Sequence, residues 1–268
     1  IGSRAAGHIA AAGYPLRTWS RRPRDRDDFE TDPAAAAASA EIIALYLKDA
    51  PAVRAIFARI RGELGMGKIL VNHSTIDLAT TDYLEKECAA LGCGFLNAPF
   101  TGSRVAAGNG ALVYYAGGSS ETLEDLRPFL ETTSHRVMEV GSPAAATVLK
   151  LTTNLISAST VQALAEGLKL NLAHGVPAET YLEAIKPNAC ASVLAGMKVP
   201  GMAAGDFDAH FSLSNMLKDA RYMLDLAERA GVEAPGIAAT AGEMQKLDDR
   251  GHGESDFSVL FRQFDPQD

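Results

Sequence analysis

Two hydrophobic rhythms divide the chain. Up to about residue 140, short continuous apolar runs alternate with helical patterns, whereas beyond it the apolar positions repeat at helical spacing throughout. In the first region, residues 2–13 read as a small-residue helix and Tyr14-Pro15-Leu16-Arg17-Thr18-Trp19 as a short strand. Asp32 caps a short helix that Pro33 opens. Residues 41–47, 68–72 and 94–99 read as buried strands separated by helices over 50–62 and 77–90. Two further strands, 111–116 and 135–140, flank a helix over 120–130. This alternation predicts an α/β fold with a doubly wound parallel sheet, whose ligands bind outside the C-terminal ends of the strands.

The second rhythm begins with Gly141 to Asn171, which opens on Ser-Pro and is apolar on more than one face, the signature of a long, largely buried helix. Further helices are predicted from Ala178, over 189–198, over 213–231 with Ser212 as cap, and over 237–250. A loop over 251–256 and a final turn over 256–261 follow. The domain reading is therefore residues 1–142 as a nucleotide-type α/β domain, 143–172 as an interdomain helix, and 173–268 as an all-α C-terminal domain.

Composition narrows the partners. A chain of 268 residues with 47% hydrophobic and 22% charged residues is ordinary for a globular protein. Its net charge of −8 and pI near 5.3 argue against general nucleic-acid or anionic-membrane binding. No apolar run reaches the ~18 residues of a membrane span and no signal peptide is visible, so a cytoplasmic location is expected. Cys88, Cys93 and Cys190 lack metal-ligand spacing and read as buried or free thiols in a reducing compartment. The six His residues form no cluster, so no metal site is expected.

Several positions carry chemistry. Lys150 and Asn154 are four apart on the long helix and so share a face. Lys150 is either a lysine whose stem lies on the core while its ammonium reaches water, or a proton-handling group oriented by Asn154. At the end of the second strand, Ser20-Arg21-Arg22-Pro23 has no acidic residue for a ribose 2′-hydroxyl, and its arginines suit a 2′-phosphate. The other reading there is a solvated basic turn. His73-Ser74-Thr75 and Pro99 to Ser103 both fall at C-terminal strand ends. Thr101-Gly102-Ser103 can hold a carboxylate through hydroxyl and amide donors, or be a plain turn. Lys198 reads as a surface lysine, Lys218 as either surface or cofactor contact, and His210 and His252 as solvent-exposed.

Taken in series, these stretches resemble the β-hydroxyacid dehydrogenase family of 3-hydroxyisobutyrate dehydrogenase and its relatives. Gly13-Tyr14 through Trp19-Ser20-Arg21 is similar to A-G-[YF]…[VW]-N-R, and His73-Ser74-Thr75-Ile76 to D-x-S-T-I. Asn97-Ala98-Pro99-Phe100-Thr101-Gly102-Ser103…Ala107…Gly110 is similar to D-A-P-V-S-G-[GS]…A…G, and Lys150-x-x-x-Asn154 to G-x-x-x-K-x-x-x-N. The segment Lys198-x-Pro200-x-Met202 through Phe211 and Lys218-Asp219 looks closest to the glyoxylate/succinic semialdehyde reductase branch. The resemblance implies a Rossmann-type NADP-binding domain, an all-α domain that contributes substrate contacts and a homodimer or higher homo-oligomer, and NADPH-dependent reduction of small carboxylated aldehydes to hydroxy acids. It assigns Lys150 as catalytic, Thr101, Gly102, Asn154, Phe211 and Asp219 to the substrate, and Gly2, Ser20, Arg21, Arg22, Thr75 and Lys218 to the cofactor.

It also leaves neighbours in view. These are an NAD(P)-dependent 3-hydroxyacid dehydrogenase, an imine reductase (a group that shares the fold but lacks the lysine) and, in a different class, a non-catalytic nucleotide-binding or oligomerisation module. Three departures stand out. Thr101 replaces a serine, Asn97 replaces an aspartate, and Arg21 to Pro33 is shorter than in the family. By the same resemblance, the chain opens at the helix that follows the family's first strand. Dropped residues or a naturally clipped chain would both account for that, and a clipped chain would lose the pyrophosphate cradle.

Overall fold

Polar side chains set the helix starts of the first half. Asp32, Asp49, Asp77 and Ser119 each stand in extended conformation and accept a hydrogen bond from a backbone N–H of the first turn (Ala34, Ala52, Thr80 and Thr122), filling one of the donors that a helix start leaves open. They begin α2 (Pro33–Ala38), α3 (Ala50–Ile60), α4 (Leu78–Leu91) and α6 (Ser120–Glu131). Helix α1 (Gly2–Ala11) precedes them, and Ser103 caps the short α5 (Arg104–Gly108). The computed structural model describes residues 1–265 and divides into two compact units, residues 1–150 and the residues from Leu151 onward.

The first unit is built on a six-stranded sheet. Strands β1 (Ile42–Leu45), β2 (Ile69–Asn72) and β3 (Gly94–Asn97) run parallel, with Leu45 opposite Asn72 and Asn72 opposite Asn97. β5 (Leu112–Gly117) joins β3 antiparallel through Asn97 and Gly117, β4 (Phe100–Thr101) pairs antiparallel with β5, and β6 (Ser134–Gly141) pairs parallel with β5. The expected doubly wound α/β architecture is present, with β5 and β6 reversed relative to β1–β3. A parallel return needs a crossover of a dozen or more residues, usually a full helix on the sheet face. Residues 98–111 hold only β4 and the five-residue α5, so the chain turns back instead. Ala5, Ile9, Val71, Leu96, Leu112, Tyr114 and Leu126 are among the buried residues that pack on this sheet.

The segment Tyr14–Trp19 differs from its expectation. It forms a single parallel bridge, Thr18 to Phe29, rather than a strand, because Pro15 has no N–H to give and the backbone bonds of Thr18 go to Asp28 and Glu30. The ammonium of Lys68 lies within 2.6–2.9 Å of the carbonyls of Ala37, Ala38 and Ala40, satisfying the open end of α2 at the point where β2 begins.

Helix α7 (Pro143–Ala173) spans 31 residues and runs through the boundary between the units. The second unit is helical, with α8 (Ala178–Ile185), α9 (Val193–Ala204), α10 (Leu213–Arg229), α11 (Pro235–Leu247) and a 3-10 segment Phe257–Phe264. Its core gathers Leu151, Val161, Leu168, Val199, Met216, Met244 and Phe257. Residues 189–192 lie outside any helix, where one was expected from Ala189, and α9 starts at Val193 with the Ser192 hydroxyl capping Ala195. Among the described residues, no helix is long and apolar enough to cross a membrane.

Candidate active site

Lys150 decides how α7 is read. Its side chain is 9% exposed, and it lines a small recess together with Ser74, Thr75, Ile76, Pro99 and Thr147. A lysine whose ammonium simply reached solvent would stand in open surface. This one instead faces the C-terminal ends of β2 and β3, where a sheet of this kind presents its ligands. The structure therefore brings together Thr75 and Lys150, two residues 75 positions apart in the chain.

A buried amide network positions that turn of α7. Asn97 donates through Nδ2 to the carbonyl of Pro143 (2.9 Å) and to Oγ1 of Thr147 (2.8 Å), and its Oδ1 accepts from Nδ2 of Asn72 (2.8 Å). Asn72 also donates to the Ser74 carbonyl and accepts from the Ser74 N–H, while Thr147 and Thr81 share a hydroxyl bond of 2.7 Å. Asn72 and Asn97 are fully buried, and every side-chain amide group in the pair is used. Sequence reading noticed Asn97 only as a departure from an aspartate. Its pairing with Asn72 was visible as two asparagines, each ending a strand.

Thr101 ends β4 and Gly102 follows it, and both are exposed. Gly102 has φ +131, and a Cβ there would come within 3.0 Å of Leu112 Cδ2 and 3.1 Å of Ala106 Cβ, so only glycine fits. Ser103 is committed to capping α5, accepting from the N–H groups of Val105 and Ala106. The hydroxyl of Thr101 and the amide of Gly102 thus form a short exposed run of donors beside a capped helix start.

The residues expected at the cofactor lie in three places in the first unit, and Lys218 lies on α10 of the second. Gly2 begins α1, where a Cβ would meet Tyr46 Cβ at 3.0 Å, so the helix start is pressed against the segment that follows β1. No acidic residue occupies that first turn, and the guanidinium groups of Arg4 and Arg104 add positive potential there. Such a helix start with open N–H groups fits a phosphate-bearing nucleotide. Arg21 and Arg22 are exposed on a bend after Thr18, held by the Ser20 hydroxyl donating to the Arg22 carbonyl. Thr75 lies in the recess already described.

In the second unit, Asn154 donates through Nδ2 to Asp219 Oδ2 at 2.7 Å. Asp219 is fully buried, and its Oδ1 lies 2.7 Å from the ammonium of Lys218, which also sits 5.1 Å over the Tyr222 ring. Asn154, Lys218 and Asp219 therefore form one cluster. Phe211 packs edge-on against Phe257, and its N–H donates to Asp256.

Lys198 overturns its expectation. It is 4% exposed and paired with Asp256 at 2.7 and 2.8 Å, with the N–H groups of His210, Phe211 and Ser258 also on that carboxylate. Burial pushes the Asp256 carboxyl up, but the Lys198 ammonium and the Ser258 N–H outweigh it and leave the group below its ordinary value. The signal for this was the one that singled out Lys150, a lone lysine in an apolar helix, here between Met197 and Val199. His210 is exposed as expected, and His252 is half-buried.

His73 was read only as part of a motif. It is 1% exposed, stacked on Tyr46 at 4.4 Å, and bonded through Nδ1 to the Ala98 carbonyl at 2.8 Å. A carbonyl only accepts, so Nδ1 carries the proton and Nε2 is bare, with no partner among the described residues. Burial lowers its pKa to about 4. Beside it, the Tyr46, Tyr114 and Thr133 hydroxyls form a chain of 2.8 Å bonds.

The sheet, the helix start pressed on Tyr46 and the lysine at the strand ends define a nicotinamide-nucleotide oxidoreductase of Rossmann type. Residues 1–141 match the NAD binding domain of 6-phosphogluconate dehydrogenase, and residues 144–264 match the NAD-binding domain of NADP-dependent 3-hydroxyisobutyrate dehydrogenase. The chain belongs to the β-hydroxyacid dehydrogenase family and is an NAD(P)-dependent oxidoreductase acting on the hydroxyl groups of hydroxyacids. Among its relatives are two from Arabidopsis thaliana. One is the chloroplastic glyoxylate/succinic semialdehyde reductase 2, 27% identical over 97% of this chain and 75% of that protein. The other is glyoxylate/succinic semialdehyde reductase 1, 25% identical over 97% of this chain and 93% of that protein. A similar solved structure is the 3-hydroxyisobutyrate dehydrogenase of Mycobacterium tuberculosis with L-serine. It is 21% identical with a TM-score of 0.91, and the match covers 99% of this chain and 96% of that one.

Proposed function

We propose that this protein reduces small carboxylated aldehydes, with glyoxylate and succinic semialdehyde as the leading substrates, to the corresponding hydroxy acids at the expense of NADPH. The observation that carries the reading is the burial of Lys150 beside Thr75 at the strand ends, which leaves its ammonium placed for a ligand rather than for bulk water. The reduced nicotinamide supplies the hydride. Lys150 gives a proton to the oxygen of the former carbonyl, so that an alcohol is formed and the lysine is left neutral until it recovers a proton from water. The Thr101 hydroxyl and the Gly102 N–H hold the substrate carboxylate, and Asn154, one turn beyond Lys150 on α7, orients the lysine. Asp219 fixes the Asn154 amide through the 2.7 Å bond, and Phe211 supplies an apolar surface to the substrate. For the cofactor, the start of α1 at Gly2 takes the pyrophosphate, and Ser20, Arg21 and Arg22 take the 2′-phosphate. Thr75 and Lys218 complete its contacts. A homodimer is part of the proposal.

The names of the two Arabidopsis reductases support this substrate class over an oxidising 3-hydroxyacid dehydrogenase or an imine reductase. The retained Lys150 supports turnover over a purely nucleotide-binding or oligomerising role. The test is a panel of glyoxylate, succinic semialdehyde, 3-hydroxyisobutyrate and a cyclic imine, each with NADPH/NADP and NADH/NAD and followed by nicotinamide absorbance. Faster turnover of an aldehyde with NADPH is the expected result. A preference for 3-hydroxyisobutyrate or the imine replaces the substrate, and NADPH binding without turnover of any compound replaces the enzyme by a binding module.

A further inference from the structure

The end of α4 brings two thiols together. Gly92 stands in the left-handed region with φ +67, its N–H donates to the Ala89 carbonyl at 3.1 Å, and the Cys93 N–H donates to the Cys88 carbonyl at 2.9 Å. This pair of bonds is the Schellman ending, in which the side chain near the last turn meets the one just after the glycine, ordinarily as a hydrophobic contact. Here both positions are cysteine, joined by the second of those backbone bonds, and the two thiols shift each other's titration in opposite directions. A disulfide needs Cα atoms roughly 4.4–6.8 Å apart, a reach consistent with two residues that already share a backbone hydrogen bond.

The surroundings of the two sulfurs differ. Cys88 is fully buried. Its thiol is pushed up by the hydrogen bond to Cys93, by burial and by the charges of Cys93 and Glu87. Cys93 is buried as well, at 6% exposed, but it borders an open cavity of about 480 Å³, whose wall also includes Glu85, Ser119, Thr122 and Ser142. Its pKa is lowered to about 7, chiefly by the bond from Cys88 and, against the opposing effect of burial, by the Leu70 and Gly65 amides and the Lys68 ammonium. When protonated, Cys93 faces the carbonyls of Lys68 and Gly94, each 3.3 Å away. The Cys93 thiol thus borders the cavity and has the means to carry charge, whereas Cys88 is not part of the cavity wall.

We propose that Cys93 and Cys88 form a peroxide-reactive dithiol, Cys93 attacking and Cys88 resolving, that closes to a disulfide across the end of α4. The oxidant is hydrogen peroxide. The Cys93 thiolate attacks one peroxide oxygen, an S–O bond forms as the O–O bond breaks, and the departing hydroxide takes up a proton as water. Cys93 is then a sulfenic acid, and its sulfur no longer holds the charge that kept Cys88 protonated. The Cys88 sulfur attacks it, the S–S bond forms as the S–O bond breaks, and the leaving hydroxide takes the Cys88 proton as a second water. Two thiols are oxidised and one peroxide is reduced to two waters. The site is independent of the substrate proposed above.

The test treats the folded full-length chain with hydrogen peroxide at pH 7, then unfolds and alkylates it for peptide mass spectrometry. The expected product has lost two hydrogens between Cys88 and Cys93, takes no label at either, and regains both labels after dithiothreitol. Cys88→Ser keeps a hydroxyl that can donate to Cys93 and should leave a sulfenic acid that dimedone traps. Cys93→Ser should slow oxidation of Cys88 by about tenfold or more. The proposal is overturned if Cys88 and Cys93 stay fully alkylatable while the exposed Cys190 oxidises, if Cys93 goes to sulfinic acid with Cys88 still free, or if Cys88 oxidises equally fast in Cys93→Ser. Native circular dichroism of each variant before treatment separates these outcomes from misfolding.

Discussion

The side-chain amide of Asn97 donates to the hydroxyl of Thr147, and through that 2.8 Å bond the end of β3 holds the turn of α7 that carries Lys150. The same amide holds the Pro143 carbonyl, so two successive turns at the start of α7 are fixed by one fully buried side chain. Asn97→Ala removes the partner of a buried hydroxyl, a carbonyl and the Asn72 amide together. Each orphaned group costs about 1–3 kcal/mol when water cannot replace the partner. The expected loss is about 2–4 kcal/mol in urea unfolding, with a fall in kcat larger than any change in the KM for NADPH. Unchanged stability, or a change confined to NADPH binding, would contradict this positioning role.

Lys150→Ala tests the proton donor directly. A positioned acid contributes roughly 10²–10⁴-fold, so kcat for aldehyde reduction should fall by about that factor while the NADPH dissociation constant stays within about twofold. Lys150→Arg keeps the charge but donates poorly, and should recover little. Turnover near the wild-type level in either variant would remove the lysine from the chemistry.

Arg21→Ala separates the two cofactors. Arg21 is exposed on a bend and makes no contribution to the buried core, so its loss should leave stability within about 0.5 kcal/mol. If it meets the 2′-phosphate, the KM for NADPH rises while that for NADH is little changed. An equal effect on both, or none, would show that the basic bend is only a solvated turn.

The order of elements and the helix starts were legible because their causes are local. Asp32-Pro33, Asp49 and Asp77 cap by chemistry that the sequence displays, and the apolar run at Ile69–Asn72 needs no distant partner to be read as a strand. Three things were not legible, each decided by a partner far along the chain. The direction of β5 follows from the short link over 98–111, the burial of Lys198 from Asp256 58 residues away, and the fit of Thr75 to Lys150 from the sheet itself. The site residues were therefore named mainly by resemblance, and what the structure adds is the amide network and capped loop that hold some of them.

Lys198→Met leaves the buried Asp256 carboxylate without its cation. Breaking one side of a buried pair typically costs about 3–5 kcal/mol, whereas replacing both can be neutral. Asp256 also receives three backbone N–H groups, so Lys198→Met/Asp256→Asn should be milder than Lys198→Met alone in thermal unfolding. A single variant as stable as wild type would mean that the pair is no stabilising feature.

His73 sets a limit on stability in acid. It is buried and neutral, with a pKa lowered to about 4 by desolvation, while the unfolded chain binds its proton near the ordinary 6.5. Between those values the unfolded state holds more protons, so stability falls as pH drops from about 6.5 to about 4 and His73 loses nothing further below that. The gap corresponds to roughly 3 kcal/mol. Asp256, whose carboxyl lies below its ordinary value, acts with the same sign at lower pH, its contribution being lost as it takes up a proton. His73→Asn keeps a donor for the Ala98 carbonyl but cannot titrate. Its stability at pH 7 should be lower because the ring stacked on Tyr46 is gone, yet its urea midpoint should change less between pH 6.5 and 4 than that of the wild type. Parallel pH curves for the two proteins would place the acid sensitivity elsewhere.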